Sequence, residues 1–236
     1  MAGTPGQAVA PPITGIASMA TRHLLSELAA AYQQRSGQRV VVESVGGVDA
    51  ARRVESGDAF DFVVLAADAI DKLAAAGRVD PDTRIDIARS GVAIAVRAGA
   101  HSPDVGTEQA VRDAVLAARS VGYSTGPSGK HLARLFERWG IAEVIAPRIV
   151  EAPPGVPVAS LVESGKVELG FQQLSELIHA PGIHVLATLP PAIQVVTIFA
   201  AAVCTASARE ASVKAWLSFC AAPAVAAVKR RHGMEP

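Results

Sequence analysis

Short β-branched runs alternate with Ala- and Leu-rich stretches of helical period along nearly the whole chain, and glycine punctuates the joins. This alternation constrains the fold most. Strand, helix and strand in series make right-handed crossovers, and several crossovers build a mainly parallel α/β sheet with helices on its faces. Residues 13–17 read as the first strand. Across residues 19–35, Leu24, Leu25, Leu28 and Tyr32 share one helical face, with Ser18 placed as N-cap and Gly37 as stop. Further strands are predicted over 39–43, 60–66 and 91–96, with helices over 48–56 and 69–76. The second half continues with helices over 108–118, 131–139 and 158–164, and a short helix over 175–178. Its strands are expected over 121–124, 148–151 and 169–172, with an extended stretch at 185–186. Residues 194–203 (QVVTIFAAAV) form a long apolar strand, and helices over 208–219 and 222–231 close the chain.

The residue balance suits such a fold and excludes several functions. Half of the 236 residues are hydrophobic, 19% are charged and only 4% are aromatic, so the expected core is Val/Ile-rich strands under Ala/Leu-rich helices. Twenty-two basic residues offset twenty-two acidic ones, so no basic excess points to nucleic acid. A small anion is still compatible, because helix-start dipoles bind anions without net positive charge. Cys204 and Cys220 stand far apart with no CxxC, and the six histidines show no ligand spacing, so neither a metal site nor a cofactor is expected. Two reduced core thiols are the plainer reading, with a single disulfide left open. His101, His179 and His232 read as solvated.

Residues 1–12 read as a Pro/Gly-rich tail without the basic and apolar segments of a leader peptide. No unbroken apolar run reaches spanning length, so the chain is not expected to cross a membrane. The sequence as written therefore reads as cytoplasmic, or as periplasmic if a leader was removed. No low-complexity linker divides it. The long apolar stretches near 91–98 and 194–203 are the candidates for strands crossing between two lobes, one of residues 13–95 plus 197–231 and the other of 96–196.

Four strand-to-helix turns share a chemical character. They are Ser18-Met19-Ala20, Gly46-Gly47-Val48, Gly126-Pro127-Ser128-Gly129 and Pro154-Gly155-Val156. Each sets small residues at a helix start, where backbone N–H groups lack intrahelical partners and the dipole is positive. In open α/β sheets these turns lie at the carboxyl ends of strands, where ligands bind. Singly, Ser18 reads as a plain cap and Gly46-Gly47 as a tight turn; convergence on one cleft would make an anion site. Two decoys fail. Gly129-Lys130 is not a phosphate loop, since Ser124 stands where that motif needs its first glycine and His131 where it needs a hydroxyl. No serine sits in a G-x-S-x-G elbow.

Four segments carry a family likeness. Residues 16–20 (IASMA), 44–50 (SVGGVDA), 55–68 (ESGDAFDFVVLAAD) and 169–176 (LGFQQLSE) together resemble the molybdate-binding-protein group of ABC-transporter solute-binding proteins, a similarity spanning about residues 13–231. The spacing from Glu55 through Gly57 to Asp61 is its most specific part. The resemblance implies the type II periplasmic-binding-protein fold, two lobes closing over a ligand by hinge motion. It also implies a small anionic ligand and, for a transport protein, an ABC permease as partner. Carried over position by position, Ser18 matches the first ligand serine, Val156 falls at a backbone ligand position, and Gln173 stands where the family has a tyrosine. The family's serine-rich second turn is Gly46-Gly47-Val48 here. These departures turn the expectation from molybdate toward an organic carboxylate, held by Ser18, Met19, Gly46, Gly47, Ser128, Gly129, Val156 and Gln173. Relatives of the group include aconitate isomerase, which leaves an enzyme open as the alternative. Asp49, Lys130 and His131 are then the proton-transfer candidates by position, and molybdate transport is a third reading.

Overall fold

The computed structural model describes residues 11–153 and 155–236. The expected tail lies outside these residues except for Pro11 and Pro12, as does Pro154 of the fourth turn. The elements in order are β1 (Ile13–Ser18), α1 (Arg22–Ser36), β2 (Val40–Val45), α2 (Gly47–Glu55), β3 (Phe62–Ala66), α3 (Ala67–Ala75) and β4 (Ile85–Arg97). There follow α4 (Glu108–Ala117), β5 (Val121–Ser124), α5 (Pro127–Arg138), α6 (Ala142–Ile145), β6 (Ile149–Ala152), α7 (Val158–Glu163), β7 (Leu169–Gln173) and α8 (Leu174–Leu177). The chain ends with β8 (Ile183–Thr188), β9 (Val196–Val203), α9 (Glu210–Ala221) and α10 (Ala226–Arg231).

The strands lie in the order β2-β1-β3-β9-β4-β7-β5-β6, with β8 also pairing with β4. Parallel pairings fall where strand–helix–strand units were read: β1 with β2 and β3, and β5 with β6 and β7. The crossing strands supply the antiparallel ones, so the whole sheet is mixed. β9 pairs antiparallel with both β3 and β4. The thirteen-residue β4 changes partners midway, holding β9 through Gly91 and β7 from Val92.

The partner change explains two altered boundaries. The strand expected over 91–96 begins six residues earlier, its first half hidden by Asp86, Arg89 and Ser90. The strand expected from Gln194 begins at Val196, because Gln194 uses its side chain instead. Its amide oxygen accepts from Val92 N–H at 2.9 Å, and its Nε2 donates to the Val92 carbonyl at 3.1 Å. One glutamine thus satisfies the Val92 N–H where β9 departs, a group that would be costly to leave unpaired, and adds a second donor to a carbonyl that already accepts from Leu189 N–H. Similarly, β2 runs two residues past its expected end, since parallel pairing with β1 continues to Ser18 opposite Val45.

Strand side chains alternate between faces, so a strand buried on both sides feeds two cores. In β3, Phe62 and Val64 join Leu24, Leu25, Leu28 and Trp216 under α1 and α9, whereas Val63 and Leu65 join Val54, Ile70 and Leu73 under α2 and α3. In the other half, Phe171 packs with Val111, Val115, Leu132 and Phe136 beneath α4 and α5. α7 and α8 cover the opposite face through Val158, Val162, Ala159 and Leu177. Full burial of each such side chain is worth about 1.5–3 kcal/mol.

Candidate functional site

A cleft of about 700 Å³ opens where the strand-to-helix turns of both halves face one another. β1, β2 and β3 deliver Ser18, Met19, Gly46, Gly47 and Ala66 to one wall, and β5 and β6 deliver Ser124, Pro127, Ser128 and Val156 to the other. Gln172, Gln173 and Glu176 from the β7–α8 junction, with Thr197 and Phe199 of β9, form the floor. The walls approach closely, since a Cβ placed on Gly46 would lie 3.9 Å from the Gly155 amide nitrogen.

Two of the four turns keep helix-start amides free of side-chain caps. The first backbone bond of α2 is Ala50 N–H to the Gly46 carbonyl, so the Gly47, Val48 and Asp49 N–H groups precede it, and Gly46 supplies no cap. In α5 the first is Lys130 N–H to the Gly126 carbonyl, leaving the Ser128 and Gly129 N–H groups ahead of it, again without a side-chain cap. In the other two turns a side chain takes a helix-start amide, at Ser18 as the cap reading expects. Ser18 Oγ already accepts from Ala20 N–H, at a long 3.4 Å. At α7, Val158 N–H donates to Gln172 Oε1 at 3.0 Å.

Seven of the eight expected ligand positions line the cleft, and Gly129 does not. Gly129 packs against β5, where an added Cβ would stand 1.7 Å from the Ser124 carbonyl oxygen. It is a glycine because the helix start must lie on the strand end. The three expected proton-transfer candidates scatter. Asp49 lines the cleft, but its carboxylate is paired with Arg52 at 2.7 Å. Lys130 is exposed on the rim. His131 is absent from the lining; its Nε2 sits 3.0 Å from the Ile193 carbonyl, tying α5 to the segment before β9.

Beside the expected Gln173, the floor holds two residues the sequence reading passed over, Gln172 and Glu176. Gln173 is buried; its Nε2 donates to Thr197 Oγ1 at 2.7 Å, while its Oε1 is buried without a partner. Gln172 Oε1 accepts from the α7 amide, which turns its Nε2 onto Glu176 Oε2 at 2.7 Å. Desolvation pushes the Glu176 carboxyl up to about 7, against the opposing pull of the Gln172 amide. A signal was present in two adjacent amides closing an apolar strand, followed three residues later by a carboxylate.

The most specific stretch of the family likeness is structural. Asp61 is buried away from the cleft and accepts from Thr14 N–H at 2.8 Å and Ser207 Oγ at 2.7 Å, with Arg209 3.6 Å away. Burial works against its ionisation, yet these donors and the Arg209 charge hold its carboxyl below the usual range. Elsewhere, Cys204 and Cys220 are buried free thiols. No group of ligating side chains among the described residues could hold a metal ion. His232 is not simply solvated as expected: its ring bonds Glu27 at 2.7 Å and His179 at 2.9 Å.

The profile of the bacterial extracellular solute-binding proteins matches residues 13–235. The chain belongs to that family. An aconitate isomerase from Pseudomonas sp. is 32% identical over 244 aligned positions, covering all of this chain and 93% of that protein. Among solved structures, the periplasmic molybdate-binding protein of Azotobacter vinelandii superposes with a TM-score of 0.79 at 20% identity, covering 95% of this chain and 99% of its own. The sulfate-binding protein of Mycobacterium tuberculosis H37Rv gives 0.75 at 20% identity, with 95% and 86% covered. These two likenesses establish the periplasmic-binding-protein fold for this solute-binding protein. No single helix among its described residues is long and apolar enough to cross a membrane.

Proposed function

We propose that the cleft binds a small organic carboxylate between two lobes, the division falling where β4 changes partner after Gly91, four residues before the expected boundary at residue 95. The carrying observation is the pair of uncapped helix starts, α2 from one wall and α5 from the other, lining one cavity. Bare N–H groups at the positive end of a helix dipole are anion donors. Donors on opposed walls suit a ligand with carboxylates at both ends. Ser18 and Ser128 add hydroxyls at these walls, and Met19 and Val156 add apolar contact. The buried Gln173 amide supports the same reading. Turned over, it would accept from Thr197 and present Nε2 as one more buried donor on the cleft floor.

Two settings suit such a site. One is a receptor that hands its ligand to an ABC permease, the setting implied by the resemblance to ABC-transporter solute-binding proteins. The other is an isomerase of unsaturated tricarboxylates, favoured by the aconitate isomerase that matches along this entire chain. A thermal-shift panel tests the ligand class. Cis-aconitate, trans-aconitate or citrate should raise the melting temperature more than molybdate or sulfate, because a ligand at 100 times its Kd stabilises the native state by about 2.7 kcal/mol. Stabilisation by molybdate alone would contradict the proposal.

A further inference from the structure

We infer that Glu176 is the proton-transfer residue of this cleft, moving one proton between the two ends of an allylic unit in an unsaturated polycarboxylate. The inference rests on the isomerase setting above and assigns its chemistry to a carboxylate. Three observations lead to it. Glu176 lies on the cleft floor, on a helix packed against the turn that follows Ser18. Its Oε2 accepts from Gln172 Nε2, and that amide cannot turn over without losing its bond to the Val158 N–H. The Gln172 bond is the side-chain hydrogen bond of Glu176 among the described residues, and it engages Oε2 and not Oε1. Because Oε2 faces a fixed donor, any proton the carboxyl carries sits on Oε1. One oxygen can therefore both take and return it.

Of the three candidates expected from the sequence, Asp49 is paired to Arg52, His131 is tied to the Ile193 carbonyl outside the cleft, and Lys130 is exposed. The carboxyl's affinity for protons also suits the role, since desolvation raises it to about 7, where it can act as base and then as acid. The step balances without a cofactor. Glu176 Oε1 takes a proton from the methylene flanked by a carboxylate and a double bond. The C–H electron pair becomes part of a delocalised allylic anion whose charge spreads into the attached carboxylates. The free N–H groups at the starts of α2 and α5 stabilise that charge. Oε1 then returns its proton to the far carbon of the unit. The double bond has moved by one position, and Glu176 is again ionised.

The test incubates wild-type protein, Glu176→Gln and Glu176→Asp with cis- and trans-aconitate in D₂O and follows them by proton NMR, with calorimetric titration of each acid in parallel. The wild type should exchange the allylic protons and interconvert the two acids. Glu176→Gln should lose roughly 10²–10⁴-fold in both rates while its affinity for the acids changes little. Glu176→Asp, which keeps the charge but withdraws it by one methylene, serves if the first variant does not fold and should also slow both rates. Either folded variant retaining the wild-type exchange rate would overturn the assignment. Saturable binding by the wild type with neither exchange nor interconversion would also overturn it and leave the carboxylate-binding proposal standing. Absence of binding to either acid would overturn both.

Discussion

Replacing Glu176 by Gln should make the protein more stable at alkaline pH, not less. The isosteric amide keeps an oxygen to accept from Gln172 and removes a charge held on a desolvated floor. In the folded protein the carboxyl titrates at about 7, against an ordinary value of 4.5. The sign follows from this raised value. Below 4.5 both folded and unfolded chains hold the proton, and Glu176 costs nothing. Between 4.5 and 7 only the folded state holds it, so stability falls as pH rises. Above 7 both states are ionised and the full cost is present. At about 1.36 kcal/mol per pH unit, that cost is about 3 kcal/mol. Urea denaturation at pH 5 and pH 8 measures it as the difference between variant and wild type, which cancels every other titrating group. The Glu176→Gln advantage should grow by about 2–3 kcal/mol between the two pH values, with unchanged m-values. Parallel pH profiles, or a variant less stable at pH 8, would refute the desolvated position given to this side chain.

Three other expectations concern the frame around the site. Asp61→Asn should cost about 1.5–3 kcal/mol at neutral pH, because hydrogen bonds to a buried charge are lost. Since the Asp61 carboxyl is held low, that contribution should be present near neutrality and disappear as pH falls through its folded value, as chemical denaturation at pH 7 and pH 3 would show. Gly129→Ala should cost about 1–3 kcal/mol or more through its clash with the Ser124 carbonyl, and weaken ligand binding by displacing Ser128. Cys204 and Cys220 should label with a thiol reagent only on unfolding, because burial pushes both thiols up, Cys204 to about 12.

Much of this architecture was legible because its physics is local. Leu24, Leu25, Leu28 and Tyr32 mark a helical face by spacing alone, and all four are buried in one cluster with Trp216. Small residues at strand-to-helix joins identified the turns that meet in the cleft, since close approach to helix-start amides tolerates little else. What the sequence concealed depends on partners distant in the chain. The first half of β4 carries Asp86, Arg89 and Ser90, so its strand character comes from pairing with β9 more than a hundred residues later. Gln194 reads as a strand residue until it is seen folded onto Val92. Glu176 reads as an ordinary first-turn carboxylate; its environment depends on an amide fixed by the start of a different helix.

Calorimetric titration of trans-aconitate into wild-type protein and Gly46→Asp tests the central claim most directly. Gly46 has the extended backbone of an N-cap, with φ −55° and ψ 137°, which an aspartate can adopt. Its carboxylate would cap the α2 amides that the ligand is proposed to use and place like charge beside them, while supporting the helix itself. The account predicts saturable one-site binding by the wild type and at least a tenfold loss of affinity in a fully folded variant, the tenfold corresponding to about 1.4 kcal/mol. Unchanged affinity in Gly46→Asp, or tight binding of molybdate with no heat from the tricarboxylate, would contradict it.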